Sequence, residues 1–192
     1  ERLAEYLRPE HTALVMNECQ RGVIGSESSL PDLAAAAQTG MIPRLAELTA
    51  CAREAGVTVV HGVAMRRHDG KGSNTNARIF GYAAKSPVQL TPGTSAVEVV
   101  PEIGVEPGDL VVPRLHGLSP FQGTELDSLL RNLGIRTLIA AGVSVNVAVT
   151  NLSFDAVNAG YQVVIARDCV ASVPPEYAEQ VFANTLSVIA TL

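Results

Sequence analysis

The sequence predicts a three-layer, doubly wound α/β domain built on a parallel β-sheet. Short β-branched runs alternate with longer segments of helical periodicity along the whole chain, which is typical of βαβ units. The predicted strands are apolar throughout rather than alternately apolar and polar, as expected for a sheet that helices cover on both faces. A length of 192 residues fits a single domain spanning residues 1–192.

The individual elements follow from local patterns. Five strands are predicted, with the sequences TALVMN (12–17), VTVVHGVA (57–64), DLVVPR (109–114), IRTLIAAG (135–142) and YQVVIARD (161–168). The predicted helices carry apolar residues at helical spacing, end at a glycine, or begin with prolines that a first helical turn tolerates. They cover residues 41–56, 123–134, 147–160 and 174–192.

One segment does not fit the alternation. Residues 64–108 are rich in Gly, Pro, Ser and Asn and contain no strand or helix of clear periodicity. Long connections in compact domains more often have a function than not. We therefore expect part of this segment to fold over the carboxyl edge of the sheet as a lid or a subunit contact.

Composition argues against several classes of function. The formal net charge is −5 and the basic residues do not cluster, so nucleic acid is not an expected partner. No apolar stretch approaches the ~18 residues of a membrane span, and the first residues lack the apolar core of a signal peptide. A cytoplasmic protein without membrane association is expected.

Cofactors and metals are not expected either. Neither GxGxxG after the first strand nor GxxxxGK[ST] occurs, which argues against dinucleotide and nucleoside triphosphate binding. His61 and His68 have no further ligand at a usual metal-binding spacing. The three cysteines, Cys19, Cys51 and Cys169, lie too far apart in sequence for a CxxC pair. They are predicted to be buried, reduced thiols.

Candidate functional residues follow the predicted strands, because ligands of open parallel sheets bind at the carboxyl ends of the strands. Glu18 follows the first strand and could be a catalytic acid or base, or alternatively a helix cap or surface ion pair. Arg114 lies at the end of the third strand, and His116 follows it two residues later. They could hold a carboxylate substrate or stabilise developing negative charge, or lie on exposed surface.

Two further places are candidates for substrate binding. His61 lies near the end of the second strand. Ser144, Val145 and Asn146 follow the fourth strand at the predicted start of a helix, where backbone N–H groups can bind an anion. Ordinary helix capping explains the same residue types.

Three segments together resemble the isochorismatase-like cysteine hydrolase family, which includes isochorismatases, nicotinamidases and carbamoylsarcosine amidohydrolases. They are TALVMNECQRGV, RLHGLSPFQGTELDSLLRNLGIRTLIAAGVSVNVAV and DAVNAGYQVVIARDCVAS. The combination of F-x-G-T-x-L, G-V-S-V-N and D-A-x-x-x-G-Y carries the resemblance, which covers nearly the whole chain. The resemblance implies a six-stranded parallel sheet of Rossmann-like topology, and a homodimer or homotetramer.

The chain departs from the catalytic triad of that family, an aspartate, a lysine and a cysteine nucleophile. Alignment of the motifs places Glu18 at the aspartate, Leu115 at the lysine, between Arg114 and His116, and Ala148 at the cysteine. Amide hydrolysis through a thioester needs a thiolate, which Ala148 lacks. Three altered positions indicate natural divergence rather than a single engineered substitution.

Two hypotheses follow. In the first, the chain hydrolyses a small, anionic metabolite without a covalent cysteine intermediate. Glu18 then acts as general acid or base, as the strand-one acid does in family members that cleave a vinyl ether without a cysteine, and Arg114 and His116 replace the lysine. Residues Ser144 to Asn146 and Ala148 line the substrate site. In the second hypothesis, the chain is catalytically inactive and binds a small ligand or partner through the inherited cleft.

Overall fold

The computed structural model describes residues 2–192 and contains a five-stranded parallel sheet within them. The strands lie in the spatial order β3-β2-β1-β4-β5, and every neighbouring pair is parallel. All five predicted strands form. Their bounds are β1 Thr12–Asn17, β2 Thr58–Ala64, β3 Leu110–Arg114, β4 Thr137–Val143 and β5 Gln162–Ala171.

Helices connect the strands as expected for a doubly wound fold. They are α1 Arg2–Tyr6, α2 Pro31–Ala36, α3 Ile42–Glu54, α4 Arg78–Lys85, α5 Leu126–Asn132, α6 Thr150–Asn158, α7 Pro175–Val181 and α8 Ser187–Ile189. Short 3-10 turns occur at Pro9–His11 and Ser95–Val97, and π-helical turns at Ala37–Met41, Val145–Val149 and Phe182–Leu186. The helix predicted over 41–56 extends further back, since the π-helical turn joins α2 to α3.

The sheet has five strands rather than the six implied by the family resemblance. A sixth position begins beside β5, where Thr191 forms a parallel bridge to Val164. The Thr191 N–H donates to Val163 O at 2.9 Å, and the Ile165 N–H donates to Thr191 O at 2.8 Å. Within residues 2–192 this single bridge is the only pairing at that position, so no sixth strand is formed.

Two apolar clusters, one on each face of the sheet, form the core. Alternate residues of β1 point to opposite faces, so Ala13 and Val15 join the cluster that contains Leu126 of α5 and the buried residues of α6 and α7. Leu14 and Met16 join the cluster on the α3 face, which includes Ile42 and Leu45. This arrangement confirms the predicted three-layer α/β class and explains why the strands lack polar alternation.

The chain order places a switch point between β1 and β4. From β1, the strand order runs outward to β2 and β3 on one side and to β4 and β5 on the other. The crevice outside the carboxyl ends of β1 and β4 is therefore the expected ligand position. None of the helices in residues 2–192 has the length and apolar character needed to cross a bilayer.

The 64–108 segment follows the carboxyl end of β2 and contains one helix. No residue of α4 is buried, so this helix lies on the outside of the domain. Gln20 fixes the start of the segment, because its Nε2 donates to Ala64 O at 2.9 Å and its Oε1 accepts the Ala64 N–H at 2.7 Å. An antiparallel bridge between Gln20 and Val99 fixes the far end.

Candidate functional site

Glu18 lies directly after β1, at the switch point. Its backbone has φ +53°, the only positive φ at a non-glycine residue among residues 2–192. This left-handed conformation is uncommon for glutamate and turns the chain away from the strand direction. The Glu18 N–H still donates to Gly62 O of β2 at 2.8 Å, so the residue is fixed to the sheet edge through its backbone.

Arg114 brings the opposite charge to the same place. It is the last residue of β3, and its Nη2 donates to Glu18 Oε1 while its Nη1 donates to Gly117 O. The side chains of Arg114 and Glu18 are 12% and 23% exposed, so the ion pair is sheltered but accessible. Charge-assisted hydrogen bonds of this kind are stronger than those between neutral groups, and the pair stabilises negative charge on the carboxylate.

The turn after β4 forms the other side of the switch point. Ser144 O accepts the N–H groups of Val147 at 3.2 Å and Val149 at 3.1 Å, and Val145 and Ala148 are buried. The Ser144 side chain makes no capping hydrogen bond to this turn. Asn146 is exposed, and its Oδ1 accepts the hydroxyl of Ser172 at 2.7 Å. The turn predicted after β4 therefore forms, and it contains Ala148, the residue that the motif alignment places at the cysteine of the family.

His116 and Leu115 are not brought to the Glu18 carboxylate by any hydrogen bond within residues 2–192. His116 is exposed, and its Cε1 lies 2.7 Å from the position that a Cβ on Gly123 would occupy. Leu115 is 44% exposed. Adjacent residues of an extended chain point in opposite directions, which accounts for Leu115. His116 lies in the bend after β3 ends at Arg114, so strand alternation does not place it beside Arg114.

His61 lies in β2, near the carboxyl end of the strand as predicted, and its side chain belongs to a buried hydrogen-bonded network. Its side chain is 1% exposed, and its Nε2 is 3.0 Å from Asp109 Oδ2. Asp109 in turn accepts Arg53 Nη2 at 2.6 Å and Nε at 3.3 Å. His61 is thus paired with Asp109, which also binds Arg53 of α3, and not with Glu18 or Arg114. Its role in substrate binding stays a prediction.

Burial sets the charge of this network. Burial lowers the pKa of His61 below its usual 6.5, and the hydrogen bond that its Nε2 donates to Asp109 only partly opposes that shift. Burial would raise the pKa of Asp109, but hydrogen bonds from Arg53, the Glu106 N–H and His61 outweigh it and lower the pKa below 3.8. The network therefore consists of a neutral histidine beside an Asp109–Arg53 ion pair.

The lowered pKa of His61 predicts a loss of stability in mild acid. Below pH 6.5 the unfolded chain binds a proton at His61 that the folded chain resists, so the free energy of unfolding falls as the pH is lowered through this range. The slope from one such proton reaches at most about 1.4 kcal/mol per pH unit. Urea unfolding at pH 7.5, 6.5 and 5.5 measures it.

A pair of variants assigns this slope to His61. His61→Gln should flatten the pH dependence, because glutamine does not titrate, although it lowers stability overall. His116→Gln, at an exposed histidine, should leave the slope of the parent protein. Equal slopes in the parent and in His61→Gln would contradict the assignment.

The cysteines do not supply the missing nucleophile. Cys19 and Cys169 are buried and unpaired. Burial, assisted by the charge of Glu18, raises the pKa of the Cys19 thiol, and burial raises that of Cys169 to about 12. Both thiols therefore stay protonated near neutral pH, where only the thiolate is nucleophilic. Cys51 is exposed on α3, which corrects the prediction that all three thiols are buried.

Two open cavities lie outside the Glu18–Arg114 pair. The larger, about 650 Å³, lies at the amino edge of the sheet and is lined by Glu5, Tyr6, His11, Arg131, Ile135, Arg136, Thr137, Ala159, Gly160, Tyr161 and Gln162. The smaller, about 410 Å³, follows the carboxyl end of β2 and is lined by Arg66, Arg67, His68, Asp69, Gly70, Ala84, Gln89 and Thr91. Residues 2–192 contain no cluster of three or more His, Cys, Asp or Glu side chains placed to bind a metal ion.

Sequence reasoning missed three polar residues at the carboxyl edge of the sheet. Gln20 is fully buried and fixes the end of β2 through Ala64. Asn17 is also fully buried; its Nδ2 donates to Ala141 O at 3.2 Å, and its Oδ1 has no hydrogen-bond partner. Asn74 accepts the Gly117 N–H at 2.8 Å. A polar residue ending an apolar strand is the signal that could have identified Asn17, whereas nothing local marks Asn74.

Comparisons with known proteins identify relatives of the whole domain. The family model described as "Isochorismatase domain" matches residues 12–192. The ureidoacrylate amidohydrolase RutB of Rhizobium rhizogenes is 30% identical over 188 residues, which cover 91% of this chain and 76% of that protein.

Solved structures give the same result. An isochorismatase family protein from Desulfovibrio vulgaris superimposes with a TM-score of 0.77 at 27% identity, covering 94% of this chain and 92% of the other. N-carbamoylsarcosine amidase from Thermoplasma acidophilum superimposes with a TM-score of 0.72 at 24% identity, covering 94% of both chains. The second likeness concerns the fold alone. On the family match and the RutB relationship, the chain belongs to the isochorismatase family of hydrolases.

Proposed function

We propose that this chain hydrolyses a small, anionic metabolite without a covalent cysteine intermediate, with Glu18 as general acid or base. The observation that carries the proposal is the ion pair between Glu18 and Arg114 at the switch point. A carboxylate at this edge, held by a guanidinium and still partly exposed, has the position and chemistry that acid–base catalysis requires.

The geometry favours the basic role for the resting enzyme. Arg114 occupies Oε1 of Glu18, while Oε2 has no hydrogen-bond partner within the described residues 2–192. A water molecule can therefore donate a hydrogen bond to Oε2, and the carboxylate can accept its proton as the water attacks the substrate. Once protonated, the same group can return the proton to the leaving atom.

Water is the expected nucleophile because the protein offers no better one here. The Ala148 methyl has no lone pair, and the Cys19 thiol is buried and held in its protonated form. A direct attack by water avoids an acyl-enzyme, at the cost of a harder single step. The N–H groups of Val145 and Asn146, ahead of the first turn after β4, are proposed to stabilise the negative charge that develops on the substrate as water attacks.

The relationship to RutB supports the class of substrate. Ureidoacrylate, the substrate in the name of that protein, is a small carboxylate. Arg114 gives this chain a cation at the site, where the motif alignment places Leu115 at the lysine of the family. His116, exposed against Gly123, is proposed to act only at the rim, where it can orient a bound substrate.

The second candidate function is ligand binding without catalysis. It is favoured by Ala148 at the nucleophile position and by Arg114, which already neutralises the charge of Glu18. A protein of this kind would retain the cleft and bind a small ligand or partner there. The two functions differ in one measurable property, which is turnover.

To test the proposal, the purified protein is incubated with ureidoacrylate or isochorismate, and product formation is measured by liquid chromatography. The proposal expects turnover of at least one carboxylate, with no mass added to the protein when the reaction is quenched in acid and intact mass is measured. A covalent adduct would contradict the mechanism. Saturable binding of these ligands without turnover would instead establish the second function.

A further inference from the structure

The smaller cavity, beside the carboxyl end of β2, has an unusual balance of charge. Its lining includes the basic residues Arg66, Arg67 and His68 and one acid, Asp69. Asp69 is fully engaged by Arg67, with Nε–Oδ1 and Nη2–Oδ2 distances of 3.0 Å each, and by the Lys71 N–H at 3.1 Å. The carboxylate in the cavity therefore neutralises Arg67 and leaves Arg66 without an acidic partner.

Arg66 is held in place by a neutral group instead. Its Nη1 donates to Gln89 Oε1 at 3.2 Å, and no ion pair to Arg66 occurs within residues 2–192. Its Nη2 lies 3.0 Å from the position that a Cβ on Gly70 would occupy, so the absence of a side chain there leaves room beside this nitrogen. An arginine fork with one face free suits the two oxygens of a carboxylate.

The orientation of Arg66 is fixed before any ligand binds. Gln89 Nε2 donates to Ser86 O at 2.5 Å and to Ala83 O at 3.3 Å, at the carboxyl end of α4. The Arg66 N–H donates to Leu90 O at 2.8 Å. A guanidinium held in this way loses little conformational entropy when it binds an anion.

This cavity lies at the same edge of the sheet as the Glu18–Arg114 pair. Met65, directly before Arg66, donates its N–H to Arg114 O at 2.9 Å. Asn74 of the same segment accepts the N–H of Gly117, whose carbonyl binds Arg114. Backbone contacts on both sides of Arg114 thus hold the segment that carries Arg66 against the end of β3 that carries Arg114.

We infer that Arg66 forms a carboxylate-binding subsite that holds the acid group of the substrate while Glu18 acts on the bond to be cleaved. The inference rests on the proposed function, since it takes the bound carboxylate to be the substrate. Under this inference, Arg66 is the residue by which the protein prefers carboxylate substrates to their neutral analogues. Arg114, whose charge is used by Glu18, then has no need to bind the substrate anion.

The experiment measures equilibrium binding by isothermal titration calorimetry in a Glu18→Gln background, so that no ligand is consumed. The probes are ureidoacrylate, its uncharged methyl ester and isochorismate. Arg66→Gln should weaken binding of the carboxylates roughly ten- to a hundredfold, the usual effect of losing a charge-assisted hydrogen bond, and change ester binding less than about twofold. Arg136→Gln removes the same charge at the opposite edge of the sheet and should change neither.

Each outcome of this experiment supports or overturns the subsite, the hydrolase proposal, or both. Equal effects of Arg66→Gln on acid and ester, no effect on either, or no carboxylate binding to the Glu18→Gln protein would overturn the subsite. Arg66-dependent carboxylate binding without turnover by the parent protein would leave the subsite standing and reject the hydrolase proposal. Turnover by the parent protein that Arg66→Gln does not change would support the hydrolase proposal and reject the subsite. Thermal unfolding of each variant verifies that it is folded.

Discussion

Replacing Glu18 with glutamine is expected to lower kcat by roughly two to four orders of magnitude, the usual contribution of a general acid or base. Glutamine keeps the length of the side chain, and its amide oxygen can still accept the hydrogen bond from Arg114 Nη2. The substitution removes only the ability to take up and release a proton. KM should change little, because the substrate carboxylate is assigned to Arg66.

The measurement is steady-state kinetics on whichever carboxylate the parent protein hydrolyses. Glu47→Gln provides the control, since Glu47 is an exposed residue of α3 that pairs with Arg44 far from any reacting atom in the proposal. It should keep the parent rate. A Glu18→Gln protein that retains a third or more of the parent kcat would show that another group moves the proton.

Gly142→Ala should have the largest effect on folding, about 4 kcal/mol or more of lost stability, because it combines a strained φ with a backbone clash. Gly142 pairs with Asn17 between β4 and β1 and has φ +92°, a conformation costly for any residue with a side chain. A Cβ there would lie 2.2 Å from Asn17 O and 2.7 Å from Asn17 N. These are backbone atoms of the central strand, so relief of the clash must separate the two strands.

Gly160→Ala separates the cost of a side chain at positive φ from the cost of the clash with the neighbouring strand. Gly160 has nearly the same φ, +90°, but no atom lies within 4 Å of the position of its Cβ. The free energy of unfolding of Gly160→Ala should therefore fall only by the conformational cost, roughly 1–2 kcal/mol. Urea unfolding of both variants compares them, and a Gly142→Ala protein no less stable than Gly160→Ala would be inconsistent with close approach of β1 and β4.

Local pattern was enough to predict most of the fold. The five strands are continuous apolar runs, and burial on both faces of a parallel sheet is the physical origin of that pattern. The sixth strand came only from the family resemblance, and the structure reduces it to the bridge at Thr191. The helix extension through residues 31–41 was missed because Gly40 and the π-helical turn interrupt the usual spacing.

The candidate site was predictable in part. Glu18 and Arg114 could be named because the sheet topology places the ends of strands together, and the structure joins them in an ion pair. The partner of His61 could not be predicted, since Asp109 is 48 residues away in sequence. The same holds for Arg66, whose orientation depends on Gln89 and α4, and for Asn74, which meets Gly117 across a long loop.

The left-handed backbone at Glu18 restricts how this position can change in evolution or in a designed library. Side chains branched at Cβ are strongly disfavoured at φ +53°, whereas glycine, asparagine and aspartate tolerate it better than glutamate. A saturation library at position 18 should therefore be depleted of Val, Ile and Thr by folding alone, before any selection for activity. Aspartate or asparagine at this position would satisfy the backbone more easily, so glutamate gains the longer reach of its carboxylate at a conformational cost.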